Sequence, residues 1–364
     1  MMTVLLADVA THFRHQAAAC ERLGSPLYAA LLPRLADDLL AGGPTADVIT
    51  GHEHRPESDA LSLRLLGGAH RLALSGLAPD LAAHLPSCGG DADVEGAWSA
   101  LHRLLVDERD VLRHALDLAP QTNEVGRSSA LLGGLLTVLG GGAIDPHTPV
   151  RVFELGTSGG LNLRADHYRY TDADGATWGP GDSPVHLAGA WSTVPAGAPD
   201  RVDVVERVGA DVNPIDAATD AGALRLMSFV WPDQTARMDR LRGAIEVAHR
   251  VPARLQRISA LPFIQAIEPR PGTLTVLWHS VMWQYIGPEE AAASAEAIRR
   301  IGAHATAEAP FLHLSMESGD RWRRGFPVIA DLWHGGEDDG ASRVLGVAPA
   351  HGVPTRWADT DRPA

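Results

Sequence analysis

The stretch Val150–Leu163, VRVFELGTSGGLNL, decides how this chain of 364 residues is understood. An apolar, β-branched run ends at the acidic Glu154, and a loop with glycines at 156, 159 and 160 follows. Glycines let a bound group approach the main chain, and the helix start expected after the loop would offer unpaired N–H groups. The stretch therefore predicts a strand, a glycine-rich loop and a helix start, with a ligand or a reacting group at the loop.

Apolar segments of β type alternate with helical ones on the C-terminal side of this stretch. Strands are predicted at Val150–Leu155, Val202–Val208, Ala253–Ile258, Thr273–Trp278 and Phe311–Met316, and a helix is predicted at Pro288–Gly302. Near-continuous apolar strands separated by helices indicate a mostly parallel sheet that is covered on both faces. Val328–Trp333 and Val344–Pro349 flank a turn-rich segment, which predicts an antiparallel hairpin at the C-terminal edge of that sheet.

The N-terminal part of the chain carries apolar residues at helical spacing instead. Helices are predicted at Val9–Leu23, Pro26–Leu40, Ser58–Leu74 and Asp93–Leu118. The predicted fold class is thus α/β, with an α-helical N-terminal domain at residues 1–145 and the sheet domain at residues 146–364. A β-hairpin insertion is expected near residues 165–200, where the sequence DADG resembles a tight turn.

Composition and charge make some classes of function unexpected for this chain. The hydrophobic fraction is 45% and the charged fraction 21%, as in ordinary globular proteins. The net charge of −14, with no basic stripe, makes nucleic acid an unexpected partner. Two cysteines are too few for a disulfide framework or a metal site, and His52–His54 (HEH) offers only two histidines, so we expect no metal. With no signal peptide or membrane-spanning run in the pattern, a cytoplasmic protein is expected.

Two motifs resemble those of the Rossmann-like S-adenosylmethionine-dependent methyltransferases. ELGTSGG at residues 154–160 is similar to the first motif of that family, and GADVNP at residues 209–214 is similar to the end of its second strand. The C-terminal hairpin resembles the reversed last strand of the same family. The resemblance covers roughly residues 120–357 and implies a methyltransferase-type sheet, S-adenosylmethionine as cofactor and a small-molecule methyl acceptor.

The resemblance also implies roles for particular residues. The predicted cofactor-binding residues are Glu154, Gly156, Ser158, Gly160, Asp211, Ser259 and Arg127. The glycine loop would lie against the amino acid part of the cofactor, Glu154 would receive its amino group, and Asp211 would hold the ribose hydroxyls. Ser259 would face the adenine, and Arg127 would hold the carboxylate in a bidentate pair.

Asp211 has an alternative structural interpretation, since aspartate commonly caps helices and a helix could begin at Pro214. Asn213 is better placed for that cap, which would leave Asp211 for a ligand. The separation of Glu154 and Asp211 is much longer than the usual ~20 residues between a glycine loop and a ribose carboxylate. The predicted hairpin insertion must account for the extra length.

Polar and aromatic residues near strand ends are candidates for acceptor binding. QTNEVGRS at residues 121–128 is polar although apolar runs enclose it, so Gln121 and Asn123 are predicted to bind substrate; alternatively Thr122 or Asn123 caps a helix. Asp233 could line the acceptor pocket or pair with Arg237 at helical spacing.

LWHSVMWQYIGP at residues 277–288 ends the fourth predicted strand. His279 is the predicted catalytic base, because its unperturbed pKa lies near neutrality; a structural histidine is the alternative. Trp283 and Tyr285 are predicted to form an aromatic wall that attracts a sulfonium, or else to pack in the core.

The whole chain is also similar to a bacterial family of uncharacterised proteins, DUF2332. The segments that carry the likeness are GSPLYAALL, QTNEVGRSSALL, FELGTSGGLNL, VWPDQ and LWHSVMWQY. This second resemblance implies little about activity.

A serine hydrolase is the rival class, because GTSGG also satisfies G-x-S-x-G. Ser158 would then be the nucleophile, with Asp211 or Asp331 and His351 completing the order Ser, Asp, His. A hydrolase elbow follows several strands, whereas the strand before Ser158 is predicted to be the first of the sheet. A binding protein that keeps the fold without catalysis is the third possibility.

Overall fold

The computed structural model describes residues 2–57, 60–121, 123–318 and 325–358. The chain forms two compact units, Met1–Thr122 with Asp220–Asp239, and Asn123–Thr219 with Arg240–Ala364. In the described part of the chain, no helix combines the length and the apolar character that a membrane span requires.

Helices and strands are numbered here in chain order. The α-helices are α1 (Met2–Arg22), α2 (Pro26–Leu40), α3 (Pro44–Ile49), α4 (Leu61–Leu74), α5 (Pro79–Ala82), α6 (Val94–Asp107), α7 (Arg109–Ala115), α8 (Ser128–Gly140), α9 (Asp220–Ser228), α10 (Thr235–Arg250), α11 (Ala260–Gln265) and α12 (Pro288–Ala303). The strands are β1 (Val150–Leu155), β2 (Arg169–Asp172), β3 (Thr177–Trp178), β4 (His186–Trp191), β5 (Val204–Asp211), β6 (Arg254–Arg257), β7 (Leu274–Ser280), β8 (Phe311–Met316), β9 (Phe326–Trp333), β10 (Ser342–Ala348) and β11 (Arg356–Trp357).

The first unit is helical, as the periodicity of the sequence predicts. In α2, Leu31, Leu35 and Leu39 repeat every four residues and are fully buried, so one stripe of the helix forms core. The long helix predicted at Asp93–Leu118 is instead two helices, because the backbone at Glu108, with φ −114° and ψ 28°, leaves the helical region. The predicted start of α4 at Ser58 lies outside the described residues.

Eight described strands form one sheet in the order β11-β10-β9-β8-β7-β1-β5-β6. The strands from β8 to β6 in this order pair in parallel, and β9, β10 and β11 are antiparallel to their neighbours. All six residues of the central β1 are buried, and the two charged ones, Arg151 and Glu154, have hydrogen-bond partners inside the protein. The predicted α/β class, with a mostly parallel sheet and an antiparallel C-terminal hairpin, is confirmed.

The strand order reverses beside β1. The chain runs from β1 through β5 to β6 at one edge, and then returns to β7 and β8 on the other side of β1. Leu155 pairs with Ala210 of β5 and with His279 of β7, so the carboxyl ends of three strands meet at one edge. Ligands of doubly wound sheets bind outside the carboxyl ends of the strands at such a reversal.

A second, three-stranded sheet in the order β3-β2-β4 lies between β1 and β5 in the chain. Strands β2 and β3 form an antiparallel hairpin, and β2 pairs with β4 in parallel. This segment accounts for the long separation of Glu154 and Asp211 in the sequence.

Helix α8 belongs to the second unit, so the division by contacts falls at Asn123 and not at the predicted residue 146. Gly133 of α8 lies so close to Trp191 and Trp357 that a Cβ would overlap them, and Gly134 lies against Leu314. The apolar α8 is thus packed on strands of both sheets.

Candidate functional site

The glycine loop after β1 has an unusual backbone. Gly156 and Gly160 have φ of 64° and 66°, and Ser158 between them has φ 50°. A left-handed conformation is costly for a residue with a Cβ, so Ser158 stores strain at the centre of the loop. Its buried Oγ and the buried Oδ1 of Asn162 make no hydrogen bond to any residue that the structure describes.

The main-chain N–H groups of the loop are largely used by the protein itself. Those of Thr157 and Gly160 donate to the carbonyls of Ala210 and Thr157. Those of Ser158 and Leu161 donate to Asp211 Oδ2 at 2.9 Å and to Asn123 Oδ1 at 2.8 Å. The sequence predicts a helix start with unpaired N–H groups after the loop. The structure has a 3₁₀ helix there, Leu161–His167, and its first N–H group is paired. Asn123, predicted to bind substrate, is the residue that caps it.

Glu154 lies at the end of β1 and is only 3% exposed. Thr157 Oγ1 donates a hydrogen bond of 2.6 Å to its Oε2. Burial raises the pKa of Glu154 to about 7, the hydrogen bonds from Thr157 and Asn162 act in the opposite direction, and the charge of Asp211 adds to the rise. The carboxyl group can therefore change its charge near neutral pH.

Asp211 lies at the end of β5, beside the glycine loop, as the motif predicts. Its two oxygens accept hydrogen bonds from the N–H groups of Ser158 at 2.9 Å and Asn213 at 2.8 Å. The chain turns after Pro214 and the next helix, α9, begins only at Asp220, so Asn213 does not cap a helix there. Asp211 thus fixes the glycine loop to the loop after β5.

Of the other predicted cofactor residues, Arg127 contacts the end of β7 through its side chain, and Ser259 follows β6. Arg127 donates from Nε to the carbonyl of Ala350 at 3.0 Å, and from Nη1 to that of Ser280, the last residue of β7, at 3.3 Å. Ser259 lies between β6 and α11, and its side chain makes no capping bond to that helix. Met282, which the sequence did not single out, packs its side chain against Gly156.

His279 is the centre of a chain of hydrogen bonds that we call the histidine relay, formed by Glu317, His279, His313 and Asp331. Its Nδ1 is 2.8 Å from Glu317 Oε1, and its Nε2 is 2.9 Å from His313 Nε2. His313 Nδ1 is in turn 2.9 Å from Asp331 Oδ2. Both ring nitrogens of the predicted base are thus engaged, and its contact with substrate stays a prediction.

Burial and hydrogen bonds act in opposite directions on the pKa values of two relay residues, His313 and Asp331. Burial lowers the pKa of His313, although the hydrogen bond to Asp331 acts in the opposite direction. Burial opposes ionisation of Asp331, but hydrogen bonds from His313 and Ser342 hold its pKa below the usual value. A cavity of about 300 Å³ adjoins the relay, and its lining includes Trp283, Ile298 and Trp333.

Trp283 stacks on the His279 ring, with 4.7 Å between centroids, whereas Tyr285 is 79% exposed.

His313 and Glu317 were not predicted as site residues, although a histidine inside the apolar run FLHLSM is a usable signal. The described residues contain no group of three or more His, Cys, Asp or Glu that could hold a metal ion.

Two predicted substrate residues, Gln121 and Asp233, belong to the first unit. Asp233 accepts hydrogen bonds from Ser25 Oγ at 2.6 Å and from the Leu27 N–H at 2.9 Å. These bonds fix the segment to the start of α2, which is a structural role. Thr122, the alternative cap, lies outside the described residues.

Comparison with known proteins gives one match. The family model described as "Uncharacterized protein conserved in bacteria (DUF2332)" matches residues 10–357. No curated protein and no solved structure matches the chain.

Proposed function

Since the chain belongs to the DUF2332 family, we propose an activity from the geometry of the site: binding of S-adenosylmethionine and methyl transfer to a small molecule. The observation that carries the proposal is the polarity of the glycine loop. The N–H groups of Thr157, Ser158, Gly160 and Leu161 donate within the protein, while the carboxyl groups of Glu154 and Asp211 flank the loop.

This polarity separates two classes of ligand. A dinucleotide or nucleoside triphosphate needs N–H donors for its phosphates, and these four donors are already engaged. A loop between two carboxyl groups favours a cation instead. S-adenosylmethionine carries a sulfonium and an ammonium group, so the residues present fit it better than they fit a phosphate.

In the proposal each residue at the loop has a defined task. The buried Ser158 Oγ and Asn162 Oδ1 supply polar contacts, and Glu154 holds the amino group directly or through water. Asp211 orders the loop and lies beside the ribose, and Arg127 lies at the β7 end, towards the carboxylate of the ligand.

In the proposal Ser259 faces the adenine of the ligand. When bound, S-adenosylmethionine supplies a methyl group on an electrophilic sulfonium. The contribution of the protein is to hold donor and acceptor in line and to exclude water.

The proposal is tested by ligand-dependent thermal stability with S-adenosylhomocysteine. A ligand that binds only the folded state raises stability by about 2.7 kcal/mol at 100 times its dissociation constant. We expect a rise in Tm with S-adenosylhomocysteine and none with NAD or ATP at the same concentration. Stabilisation by the phosphate ligands alone would contradict the proposal.

A matched pair of variants locates the ligand. Asp211→Ala should lose the response to S-adenosylhomocysteine, and Asp216→Ala, which changes an exposed acid five positions away, should keep it. Wild-type affinity in Asp211→Ala would remove Asp211 from the site.

A serine hydrolase is the second candidate, because the strained backbone and buried hydroxyl of Ser158 resemble a nucleophile elbow. Two of the residues predicted to complete a catalytic triad with Ser158 have other partners. Asp331 bonds to His313, and His351 Nδ1 lies 3.3 Å from Glu124 Oε2. Covalent labelling of Ser158 by a fluorophosphonate would favour this candidate over methyl transfer, and neither response would leave a binding protein without catalysis.

A further inference from the structure

Two carboxyl groups flank the glycine loop, and the cation that acts on them has other partners. Glu154 and Asp211 lie on the paired strands β1 and β5, and the charge of Asp211 acts on Glu154. The cation is Arg164, which donates from Nε to the carbonyl of Val251 and from Nη1 to that of Gly160, both at 2.7 Å. Two like charges close together in a buried region are costly, so one carboxyl group should hold a proton.

Burial and hydrogen bonding indicate which carboxyl group holds the proton. Asp211 is half-buried and accepts from the main-chain N–H groups of Ser158 and Asn213, which favour its ionised form. Glu154 is buried and accepts from the hydroxyl of Thr157. Burial raises the pKa of Glu154 to about 7, in agreement with a protonated Glu154 below neutral pH.

Two more oxygen atoms of the loop and its 3₁₀ helix are available to a donor. Ser158 Oγ and Asn162 Oδ1 are buried, and neither forms a hydrogen bond within the part of the chain that the structure describes. The amide of Asn162 also acts on Glu154 through a hydrogen bond. A neutral Glu154 supplies one O–H donor, whereas a primary ammonium supplies three N–H donors and a positive charge. The ammonium group therefore satisfies this set of oxygen atoms more completely than the proton does.

We propose that Glu154 is a neutral carboxylic acid in the protein without ligand, and that the ammonium group of the ligand replaces its proton. On binding, the O–H bond of Glu154 breaks, the proton passes to solvent, and the carboxylate pairs with the ammonium, which keeps its three protons. The inference rests on the proposed function, because it takes the amino group of S-adenosylmethionine to lie at Glu154. Each bound ligand thus releases one proton.

The charged and titratable groups that act on Glu154 come from several elements. Asp211 lies on β5, Arg164 lies in the 3₁₀ helix after the loop, and Tyr168 follows that helix. On β7 the residue paired with Glu154 is Trp278, which does not titrate. Burial raises the pKa of Tyr168, and a guanidinium keeps its charge, so neither Tyr168 nor Arg164 changes charge near neutral pH.

Affinity for the ligand should therefore rise with pH up to pH 7. Below that pH, Glu154 is mostly neutral, and the ligand has to displace a proton. The expected gain is about 10-fold per pH unit well below pH 7, and about 5-fold between pH 6 and pH 7. An α-amino group stays mostly protonated below about pH 7.7, so the ammonium persists over this range.

The test is calorimetry of S-adenosylhomocysteine binding to the full chain, in two buffers whose enthalpies of ionisation differ. This ligand keeps the ammonium group and lacks the sulfonium, so its positive charge comes from the ammonium alone. The difference in binding enthalpy between the buffers gives the number of protons released, which should be about 0.9 at pH 6 and about 0.5 at pH 7. Binding without proton release at pH 6 would overturn the proposal.

A variant assigns the proton to Glu154. Glu154→Gln keeps the shape of the neutral acid and has no proton to lose, so it should release none and bind equally well at pH 6 and pH 7. At pH 7 it should bind about 10-fold more weakly than the wild type, because a hydrogen bond to a charged group is lost. Glu246→Gln, which removes an exposed partner of Arg250, is the control and should release protons as the wild type does. Undiminished proton release in Glu154→Gln would assign the proton to another group and overturn the proposal.

A matched pair of small ligands tests the exchange without any substitution. L-methionine and its analogue without the amino group differ only in the ammonium. Methionine should bind about 10-fold more tightly than the analogue and release a proton at pH 6. Equal affinities would show that the loop does not recognise an ammonium group.

The two proposals fail separately. Binding of S-adenosylhomocysteine without proton release would remove the exchange at Glu154 and leave the cofactor site. Binding of methionine with proton release, but no binding of S-adenosylhomocysteine, would keep the exchange and remove methyl transfer. If neither ligand bound, both proposals would be wrong.

Discussion

The glycine loop and the histidine relay are built on neighbouring strands of one sheet, but they are held in opposite ways. In the loop, main-chain donors are fixed by acceptors such as Asp211 and Asn123, and the backbone geometry is strained. In the relay, four ionisable side chains are joined by hydrogen bonds to one another. The first arrangement fixes the shape of a loop, and the second brings ionisable groups into direct contact.

Glu154 is the exception in the loop, because it is an ionisable group inside the rigid region. Its pKa is raised from 4.5 to about 7, so the folded state binds its proton more tightly than the unfolded state does. This group therefore stabilises the folded protein fully below pH 4.5, and that stability is lost as the pH rises through 7. The next three predictions test how rigid the glycine loop is and how its buried carboxyl group responds to pH.

The largest effect is expected for Glu154→Gln. The difference between 4.5 and about 7 corresponds to about 3 kcal/mol, which the ionised carboxylate costs the folded state above pH 7. The variant should therefore be more stable than the wild type at pH 8 by up to that amount, and about equal to it at pH 4. Urea unfolding at both pH values measures the difference.

Glu246→Gln is the control, since Glu246 forms an exposed ion pair with Arg250. Such a pair is worth little, so its removal should not reproduce the pH dependence. Equal stabilisation of Glu154→Gln at pH 4 and pH 8 would mean that Glu154 titrates normally in the folded protein.

A smaller effect is expected for Asp211→Ala. The substitution leaves the N–H groups of Ser158 and Asn213 without their acceptor, which should cost about 2 kcal/mol. Asp211→Asn keeps one acceptor oxygen and should lose about half as much. If the two variants were equally stable, the hydrogen bonds would not be what holds the loop.

Much of the sheet could be predicted from the sequence. The predicted bounds of β1 and β8 agree with the structure, because strands inside the sheet are buried and mostly apolar. No glycine or proline marks the break between α6 and α7 at Glu108. The spacing of apolar residues therefore predicted one continuous helix where the structure has two.

The site was harder to predict because its partners are distant in sequence. Asn123 accepts a hydrogen bond from the first residue of a helix that begins 38 residues later. His313 and Asp331 meet because β8 and β9 pair in one antiparallel register. The motifs and residue types of the sequence suggested Glu154, Asp211 and His279, but only the folded chain shows which hydrogen-bond donors are engaged.

The smallest effect is expected at Ser158, where two variants distinguish backbone strain from ligand contact. Ser158→Gly relieves the positive φ and should gain about 0.5 to 1 kcal/mol, allowing for the greater chain entropy of glycine when unfolded. Ser158→Ala keeps the strain and removes a hydroxyl that has no partner among the described residues, so its stability should change little. Urea unfolding compares the two.

Both variants lose the hydroxyl, so both should bind S-adenosylhomocysteine about 10-fold more weakly if Ser158 Oγ contacts the ligand, as one hydrogen bond is worth about that factor. Equal stability of the two variants would show that the loop is not strained at Ser158. Unchanged affinity in both, measured by calorimetry, would show that the orphaned hydroxyl does not face the ligand, and the rigid loop would then act through Glu154 and Asp211 alone.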